Sequence, residues 1–238
     1  MPDPGLAPVR YAIGDIHGEA DRLGALHERI FDWHGLQYSD RRIEIVHLGD
    51  YVDRGPDSCG AIDRVIDLET RAADRGDLNV VSLMGNHERM LLDAHEEGGA
   101  TRNHWLNNGG EETLESYQRV GRGPIDLVHL RWMTRLPAIH RTDDGLVFVH
   151  AGVSAQAFPD EADEVYLWTR SADFFDPDQW TAPDLSDAVV IHGHTPTDGA
   201  PEIAGGGRRI NVDTGAVFGG PLTAAVLAAG DEVRFLTA

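Results

Sequence analysis

Five short loop motifs combine carboxylate, imidazole and amide side chains with glycine, and each follows a run of apolar residues. In chain order they are GDIHG at residues 14–18, GDYVDRG at 49–55, GNHE at 85–88, HAG at 150–152 and GHTP at 193–196. Glycine permits a tight turn and the close approach of a ligand. A lone GNH or HAG is typical of an ordinary turn, but five such motifs, each after a predicted strand, favour one shared site.

The side chains of these motifs suit two divalent cations. Carboxylate, imidazole and amide-carbonyl ligands together suit ions such as Mn²⁺, Fe, Zn²⁺ or Co²⁺. A carboxylate can bridge two metal ions, and Asp50 lies centrally in the second motif. Two such ions can share a hydroxide, hold a phosphate, and stabilise both the attacking and the leaving oxygen. The motifs therefore indicate phosphate chemistry at a metal centre.

The first half of the chain has the alternation of strands and helices that would bring these motifs together. Strands are predicted at residues 9–13, 43–48 and 78–84. Helices are predicted at residues 19–33, at 58–74 with Ser58 as a candidate cap, and from the GNHE motif to about Glu96. This βαβαβ order predicts a largely parallel sheet with polar loops at its strand ends.

The second half is predicted to be helical first and then rich in strands. Residues 98–136 favour helices, including 111–120 and 125–135, and Pro137 ends this segment. The later strands are predicted at residues 139–141, 146–149, 188–191, 208–212, 222–228 and 232–236. We predict an α/β (α+β) fold in which two sheets form a β-sandwich flanked by helices. Residues 1–238 would form one domain, with residues 98–136 as a small helical cap.

The composition excludes several classes of function. The chain has 238 residues and a net charge of -20, and all 20 basic residues are arginine. Nucleic acids and anionic membranes attract basic surfaces, so neither is expected as a partner. The single cysteine, Cys59, excludes an intrachain disulfide and a cysteine-based zinc site. The sequence has no apolar run of about eighteen residues and no signal-peptide pattern, which predicts a cytoplasmic location.

In this order the five motifs resemble those of the calcineurin-like metallophosphoesterases. They most closely resemble the phosphoprotein phosphatase branch, which includes bacterial Ser/Thr phosphatases similar to bacteriophage lambda phosphatase. The resemblance runs from about Tyr11 to Leu227 and includes NVDTGAVFGGPLT at residues 211–223. GDxxDRG is its most specific motif. The family fold is a β-sandwich flanked by helices, which agrees with the predicted strands.

The resemblance implies two divalent metal ions per chain, with Mn²⁺ favoured and Fe or Zn²⁺ as alternatives. Asp50 would bridge the two ions. The implied ligands of the first ion are Asp15, His17 and Asp50, and those of the second are Asp50, Asn86, His150 and His194.

The same resemblance implies roles for four further residues. His87 would be the general acid that protonates the leaving alkoxide, and Asp53 would hold and polarise it. Arg54 would bind phosphate oxygens, and Arg170 in LWTR at residues 167–170 is the candidate for a second phosphate-binding arginine.

One departure from many metallophosphoesterases concerns the last motif. Nucleases among them end in GHxH, whose second histidine joins the first metal ion, whereas this chain has Pro196 at that place. The first metal site should therefore have fewer protein ligands, and the nuclease hypothesis is disfavoured. His192 precedes the glycine instead of following it, so a structural role is predicted for it.

Three functions compete. The leading hypothesis is a metal-dependent phosphatase acting on phosphoserine or phosphothreonine, with phosphotyrosine as an extension. The alternative is a symmetrical dinucleoside-tetraphosphate hydrolase, which needs stacking surfaces for two nucleosides. The aromatic candidates for such surfaces, all of which could equally pack in the core, are Trp105, Tyr117, Trp132, Trp168 and Phe174. A scaffold without catalysis is disfavoured, because the predicted acid and bridging residues are present.

Two features stay open at this stage. Asp213 in NVDTG is either a partner of a metal-binding histidine or an ordinary turn carboxylate. NNGG at residues 107–110 is predicted as a turn of the cap near the mouth of the site.

Overall fold

The computed structural model describes residues 2–3 and 5–238 and contains two five-stranded sheets packed face to face. The strands are β1 (Val9–Ile13), β2 (Ile43–His47), β3 (Leu78–Ser82), β4 (Ile139–Arg141), β5 (Leu146–Val149), β6 (Val189–His192), β7 (Glu202–Ala204), β8 (Arg209–Asn211), β9 (Thr223–Leu227) and β10 (Arg234–Thr237). The predicted sandwich is confirmed.

Both sheets are mixed, and each contains three neighbouring parallel strands. The first has the order β10-β9-β1-β2-β3, in which β1, β2 and β3 are parallel as the βαβαβ pattern predicts. The second has the order β4-β5-β6-β8-β7, in which β5, β6 and β8 are parallel and the edge strands β4 and β7 run antiparallel. The carboxyl ends of the parallel strands in each sheet carry the motif loops.

The alternation of side chains along each strand builds the layers. On β1, Ala12 faces the second sheet, whereas Tyr11 and Ile13 face the helices. Phe148 and Ile191 of the second sheet are fully buried against the first. Burying a side chain of this size stabilises the fold by about 2 kcal/mol, so this layer fixes the relation of the two sheets.

Eight α-helices are found among the described residues. They are α1 (Ala20–Gln37), α2 (Ser58–Ala73), α3 (Asn86–Glu97), α4 (Gly99–Trp105), α5 (Glu111–Arg119), α6 (Leu127–Met133), α7 (Asp163–Trp168) and α8 (Ala172–Phe175). The first two cover the outer face of the first sheet. Asp57, and not Ser58 as predicted, caps α2 by accepting the N–H of Gly60 at 3.1 Å.

The outer face of the second sheet is covered by a less regular layer. Val147 and Val190 pack there against Phe158, Phe174 and other side chains from the loop-rich stretch that contains α7 and α8. This layer brings Trp168 and Arg170, at the end of α7, towards the edge where the motif loops lie.

Residues 98–136 are mostly helical, as predicted. Helix α4 packs on α3 and α5 packs on α2, and a kinked turn at Leu106–Gly110 joins α4 to α5. Gly109 has φ +104°, and a Cβ there would come within 2.7 Å of the Arg54 backbone, so only glycine fits. The division into one domain with a cap stays a prediction.

No helix within the described residues combines the length and the apolar character needed to cross a bilayer.

Candidate metal centre

The motif loops meet where the carboxyl ends of the two sheets adjoin. The Nδ1–H of His150, after β5, donates to the carbonyl of Leu48, after β2, at 3.0 Å. The backbone N–H of His194, after β6, donates to the carboxylate of Asp15, after β1, at 3.0 Å. Residues more than a hundred positions apart therefore form one cluster, as the strand pattern predicts.

The backbone of these loops is strained at the residues of interest. Among the described residues, the non-glycine residues with positive φ are His17, Asp50, Asp53, Arg54 and His194, with φ between 44° and 71°. All five are predicted site residues. Positive φ costs a non-glycine residue roughly 1 kcal/mol or more, and such strain is concentrated at functional sites.

Asp50 lies between two histidines whose facing nitrogens carry no hydrogen. The Nδ1–H of His17 donates to the Val52 carbonyl at 2.8 Å, as that of His150 does to Leu48, so Nε2 of each ring is a bare acceptor. Nε2 of His17 lies 3.4 Å from Oδ2 of Asp50, and Nε2 of His150 lies 3.4 Å from Oδ1. Each carboxylate oxygen thus faces an unprotonated ring nitrogen, although that of His17 also accepts an N–H of Arg54 at 2.8 Å. A cation on either side of Asp50 would satisfy these clustered acceptors.

The proposed ligands of the second ion lie close together. Oδ1 of Asn86 is 2.8 Å from Nε2 of His150 and 2.7 Å from Nδ1 of His194, and these two nitrogens are 3.2 Å apart. Asp50, His150 and His194 form a group whose ligand atoms lie within 4.8 Å of one another. The donor set fits a divalent metal ion of the first transition row.

The proposed first site is arranged less simply. The compact group of possible ligand atoms there consists of His17, Asp50 and His87. The carboxylate of Asp15 is engaged by the backbone of His194, and it lies beside the carboxylate of Asp213. Asp213 is therefore next to a proposed metal ligand that is itself a carboxylate, and it accepts the N–H of Gly215 at 3.0 Å, as expected of the turn carboxylate that the sequence left open as one of two alternatives.

Burial sets the protonation of the cluster. It raises the pKa of Asp15 and Asp50 well above the usual range, with neighbouring carboxylates adding to the effect. It lowers the pKa of His17 and His150 well below the usual range. Neutral imidazole is the form that binds metals, and bound cations would favour the ionised carboxylates.

His87 is held by Asp53 at the floor of the site. Its Nδ1 lies 2.7 Å from Oδ2 of Asp53, which leaves Nε2 facing Asp50 at 4.0 Å. Burial lowers the pKa of His87 to about 3, with Arg54 adding to the effect, and burial raises the pKa of Asp53 to about 7. The short hydrogen bond lets the buried pair share a proton.

Three buried residues support the site in a way that the sequence analysis did not predict. Trp105 Nε1–H donates to both oxygens of Asp53 at 3.0 Å, and Thr113 Oγ1–H donates to Oδ1 at 2.7 Å. The carboxylate of Glu88 accepts four backbone N–H groups, those of Asp50, Tyr51, Val52 and Gly85, at 2.7 to 3.2 Å. Glu88 is the last residue of GNHE, so its position in a predicted motif was a usable signal.

A cavity of about 320 Å³ opens onto the cluster. It is lined by Asp50, Arg54, Asn86, His87, Met90, His104, Asn108, Trp168, Arg170 and His194. Nη1 of Arg54 donates to Nε2 of His17 at 2.8 Å, and Nε of Arg170 donates to Nε2 of His194 at 3.0 Å. Both guanidinium groups keep further N–H groups for an anion.

The sequence pattern of the calcineurin-like phosphoesterases matches residues 10–224. The chain belongs to this family. The predictions of the family and of a hydrolase acting on phosphoric esters are thereby confirmed. The family implies divalent metal ions, and the donor set above fits them.

Two curated relatives of this phosphoesterase carry different activities in their names. The bis(5'-nucleosyl)-tetraphosphatase PrpE [asymmetrical] of Geobacillus thermodenitrificans is 30% identical over 227 residues, which cover 89% of this chain and 87% of that protein. The serine/threonine-protein phosphatase 1 of Salmonella typhimurium is 29% identical over 227 residues, which cover 90% of each.

Solved structures share the fold. The crystal structure of a candidate diadenosine tetraphosphatase superposes with a TM-score of 0.65 and 22% identity, and it covers 100% of this chain and 96% of that one. A Saccharomyces cerevisiae protein serine/threonine phosphatase superposes with a TM-score of 0.63 and 16% identity, and it covers 99% of this chain and 81% of that one. The sandwich predicted for this phosphoesterase is thus the fold of its family.

The structure places every predicted site residue of the phosphoesterase at or beside the cluster. Arg54 and Arg170 line the cavity with His87, and Asp53 lies behind His87. The roles assigned to these residues stay predictions. His192 lies apart, where its Nε2 accepts from buried Arg209 at 3.0 Å, in agreement with a structural role.

Proposed function

We propose that this chain is a two-metal phosphohydrolase in which Asp50 bridges the metal ions and His87 protonates the leaving group. The observation that carries the proposal is the unprotonated histidine nitrogen that faces each oxygen of Asp50. When bound, the two metal ions would polarise water and the phosphate oxygens. The proposed ligands are Asp15, His17 and Asp50 for one ion and Asp50, Asn86, His150 and His194 for the other.

The side chains around the cluster bind the substrate and move the proton. Arg54 and Arg170 hold the phosphate with their remaining N–H groups. His87 holds a proton at Nε2 and donates it to the leaving oxygen, while Asp53 fixes the ring through Nδ1. Trp105 and Thr113 fix Asp53 in turn.

The first substrate candidate is a phosphoserine or phosphothreonine residue, with phosphotyrosine as an extension. An alkoxide is a poor leaving group, and the buried His87–Asp53 pair is the arrangement that it requires. The similarity to the Salmonella serine/threonine-protein phosphatase 1 supports this candidate.

The second candidate is a dinucleoside tetraphosphate. It is favoured by Trp168, whose exposed ring lines the cavity, and by the similarity to the Geobacillus tetraphosphatase. Trp105, Tyr117, Trp132 and Phe174 are buried and offer no stacking surface. That relative is named an asymmetrical tetraphosphatase. We therefore propose cleavage into a nucleoside triphosphate and a nucleoside monophosphate, in place of the symmetrical cleavage that was the alternative from the sequence.

A substrate panel on metal-reconstituted protein tests the proposal. After chelation, Mn²⁺ should restore turnover better than Mg²⁺, because three of the proposed ligands are imidazoles. Phosphoserine, phosphothreonine and phosphotyrosine peptides and diadenosine tetraphosphate are then compared at equal concentration. If the protein hydrolyses none of these substrates with either metal ion, the proposed function is contradicted.

A further inference from the structure

Two exposed aromatic side chains of this protein lie near the proposed phosphate-binding arginines. Among the described residues, the large hydrophobic side chains that are exposed include two aromatic ones, Trp168 at 42% and Phe218 at 66%. Leaving a ring of this size exposed gives up about 2 kcal/mol of the stabilisation that its burial would supply. Both rings lie near the arginines of the site.

Trp168 forms one wall of the cavity. It shares the lining with Arg54 and Arg170 and lies two residues before Arg170 at the end of α7. Its ring stands edge-on to His194 at 6.2 Å, which leaves much of the indole open to solvent. A flat group that entered beside a phosphate held by Arg170 would therefore meet this ring.

Phe218 is presented on a rigid loop beside Arg54. The loop runs through a 3₁₀ turn, Ala216–Phe218, between Gly215 and Gly219, both of which have positive φ. Arg22 holds it by donating to the carbonyls of Ala216 and Gly220. The guanidinium carbon of Arg54 lies 5.7 Å from the centre of the Phe218 ring, a cation–π distance.

We propose that Trp168 and Phe218 are stacking surfaces for the bases of a nucleoside polyphosphate whose phosphates are held by Arg54 and Arg170. This inference rests on the proposed phosphohydrolase function and names its substrate class. Each ring lies beside one phosphate-binding arginine, which matches a ligand that joins flat bases through a short anionic chain. A phosphoserine or phosphothreonine side chain is small and aliphatic, and it offers no flat surface that could stack on either exposed ring.

Turnover of diadenosine tetraphosphate and of inorganic tripolyphosphate, which has no base, separates stacking from phosphate binding. Trp168→Leu and Phe218→Leu should each lower kcat/KM for diadenosine tetraphosphate about tenfold, within the range that stacking of one base supplies. Turnover of tripolyphosphate should change less than twofold. Trp168→Phe and Phe218→Tyr should restore most of the loss, and Leu36→Ala, an exposed apolar residue outside the cavity lining, should change neither.

Binding gives a readout that does not depend on turnover. ATP should quench the fluorescence of the metal-loaded protein, and Trp168→Phe should abolish most of the quenching, because the other four tryptophans are buried or partly buried. Equal losses for diadenosine tetraphosphate and tripolyphosphate in the leucine variants would overturn the inference. Leucine variants that lose turnover only of a phosphotyrosine peptide would also overturn the inference. Quenching without turnover of any phosphate substrate would support the base sites and contradict the proposed function.

Discussion

At the scale of single residues, the site depends on side chains that hold strained backbone in place. Asp50 is one of the five non-glycine residues with positive φ, and its N–H is held by Glu88 at 2.8 Å. Glu88 is fully buried and accepts three further backbone N–H groups from the same two loops. A carboxylate can accept all four, which no neutral side chain can do.

Glu88→Gln is expected to weaken the metal centre as well as the fold. The amide places N–H groups against backbone N–H groups, so the free energy of unfolding should fall by about 2 to 4 kcal/mol, and the protein should retain less metal. Thermal unfolding and elemental analysis measure the two effects. Glu96→Gln, at an exposed position of the same helix, is the control. Unchanged metal content in Glu88→Gln would show that the loops hold their shape without this carboxylate.

His87→Asn should separate proton donation from metal binding. Metal content should be unchanged, and turnover of a phosphoserine peptide should fall by roughly 10² to 10⁴, the usual contribution of a positioned general acid. An aryl phosphate has a better leaving group, so its turnover should fall by a smaller factor. If turnover of both substrates falls by the same factor, His87 is not the general acid.

At the scale of elements, helix α4 completes a site that the strand-end loops begin. Its last residue, Trp105, is 3% exposed and donates to both oxygens of Asp53 across a separation of 52 residues. Thr113 on α5 holds the same carboxylate. The segment predicted as a cap therefore contacts Asp53 of the proposed general-acid pair.

Trp105→Phe removes one N–H and keeps an aromatic ring. We expect kcat for a phosphoserine peptide to fall about tenfold, because Asp53 orients His87 less well, while metal content stays constant. Trp180→Phe is the matched control, since that indole is also buried and hydrogen-bonded but lies against the second sheet. Steady-state kinetics at several pH values measure the effect. Equal activity of the two variants would contradict a contribution of α4 to turnover.

At the scale of the whole molecule, a polar network joins the two sheets. Glu44 on β2 accepts from Arg10 on β1 at 2.6 Å and from Asn79 on β3 at 2.7 Å, and it faces His140 on β4. Burial by itself would raise the pKa of Glu44, but the nearby imidazole of His140, at 3.6 Å, and the hydrogen bonds from Asn79 and Arg10 outweigh burial and lower the pKa to about 2.

The depressed pKa of Glu44 predicts how stability depends on pH. A carboxylate with a lowered folded-state pKa stabilises the protein above its ordinary pKa of 4.5, and this stability is lost as the pH falls towards 2. The contribution is about 3 kcal/mol. Glu44→Gln should therefore show a shallower loss of unfolding free energy between pH 4.5 and 2, measured by urea titration, than the wild type or the exposed control Glu232→Gln. Parallel curves would contradict the network.

Much of the fold and the outline of the site could be predicted from the sequence. The β1 and β5 strands have the predicted bounds, because each is a short apolar run between turn residues. β7 was missed, because its residues are exposed or half-buried and make no apolar run. The contact of Trp105 with Asp53 was also missed. A single tryptophan among polar helix residues indicates core packing, and the sequence alone does not show which residue the indole N–H meets.

Elemental analysis of Asp50→Asn beside the wild type tests the central claim most directly. We expect two divalent ions per wild-type chain after reconstitution with Mn²⁺. We expect a joint loss of metal and turnover in Asp50→Asn, because one carboxylate oxygen would serve each ion. Two full equivalents of metal in Asp50→Asn, or one equivalent in the active wild type, would contradict a centre bridged by Asp50.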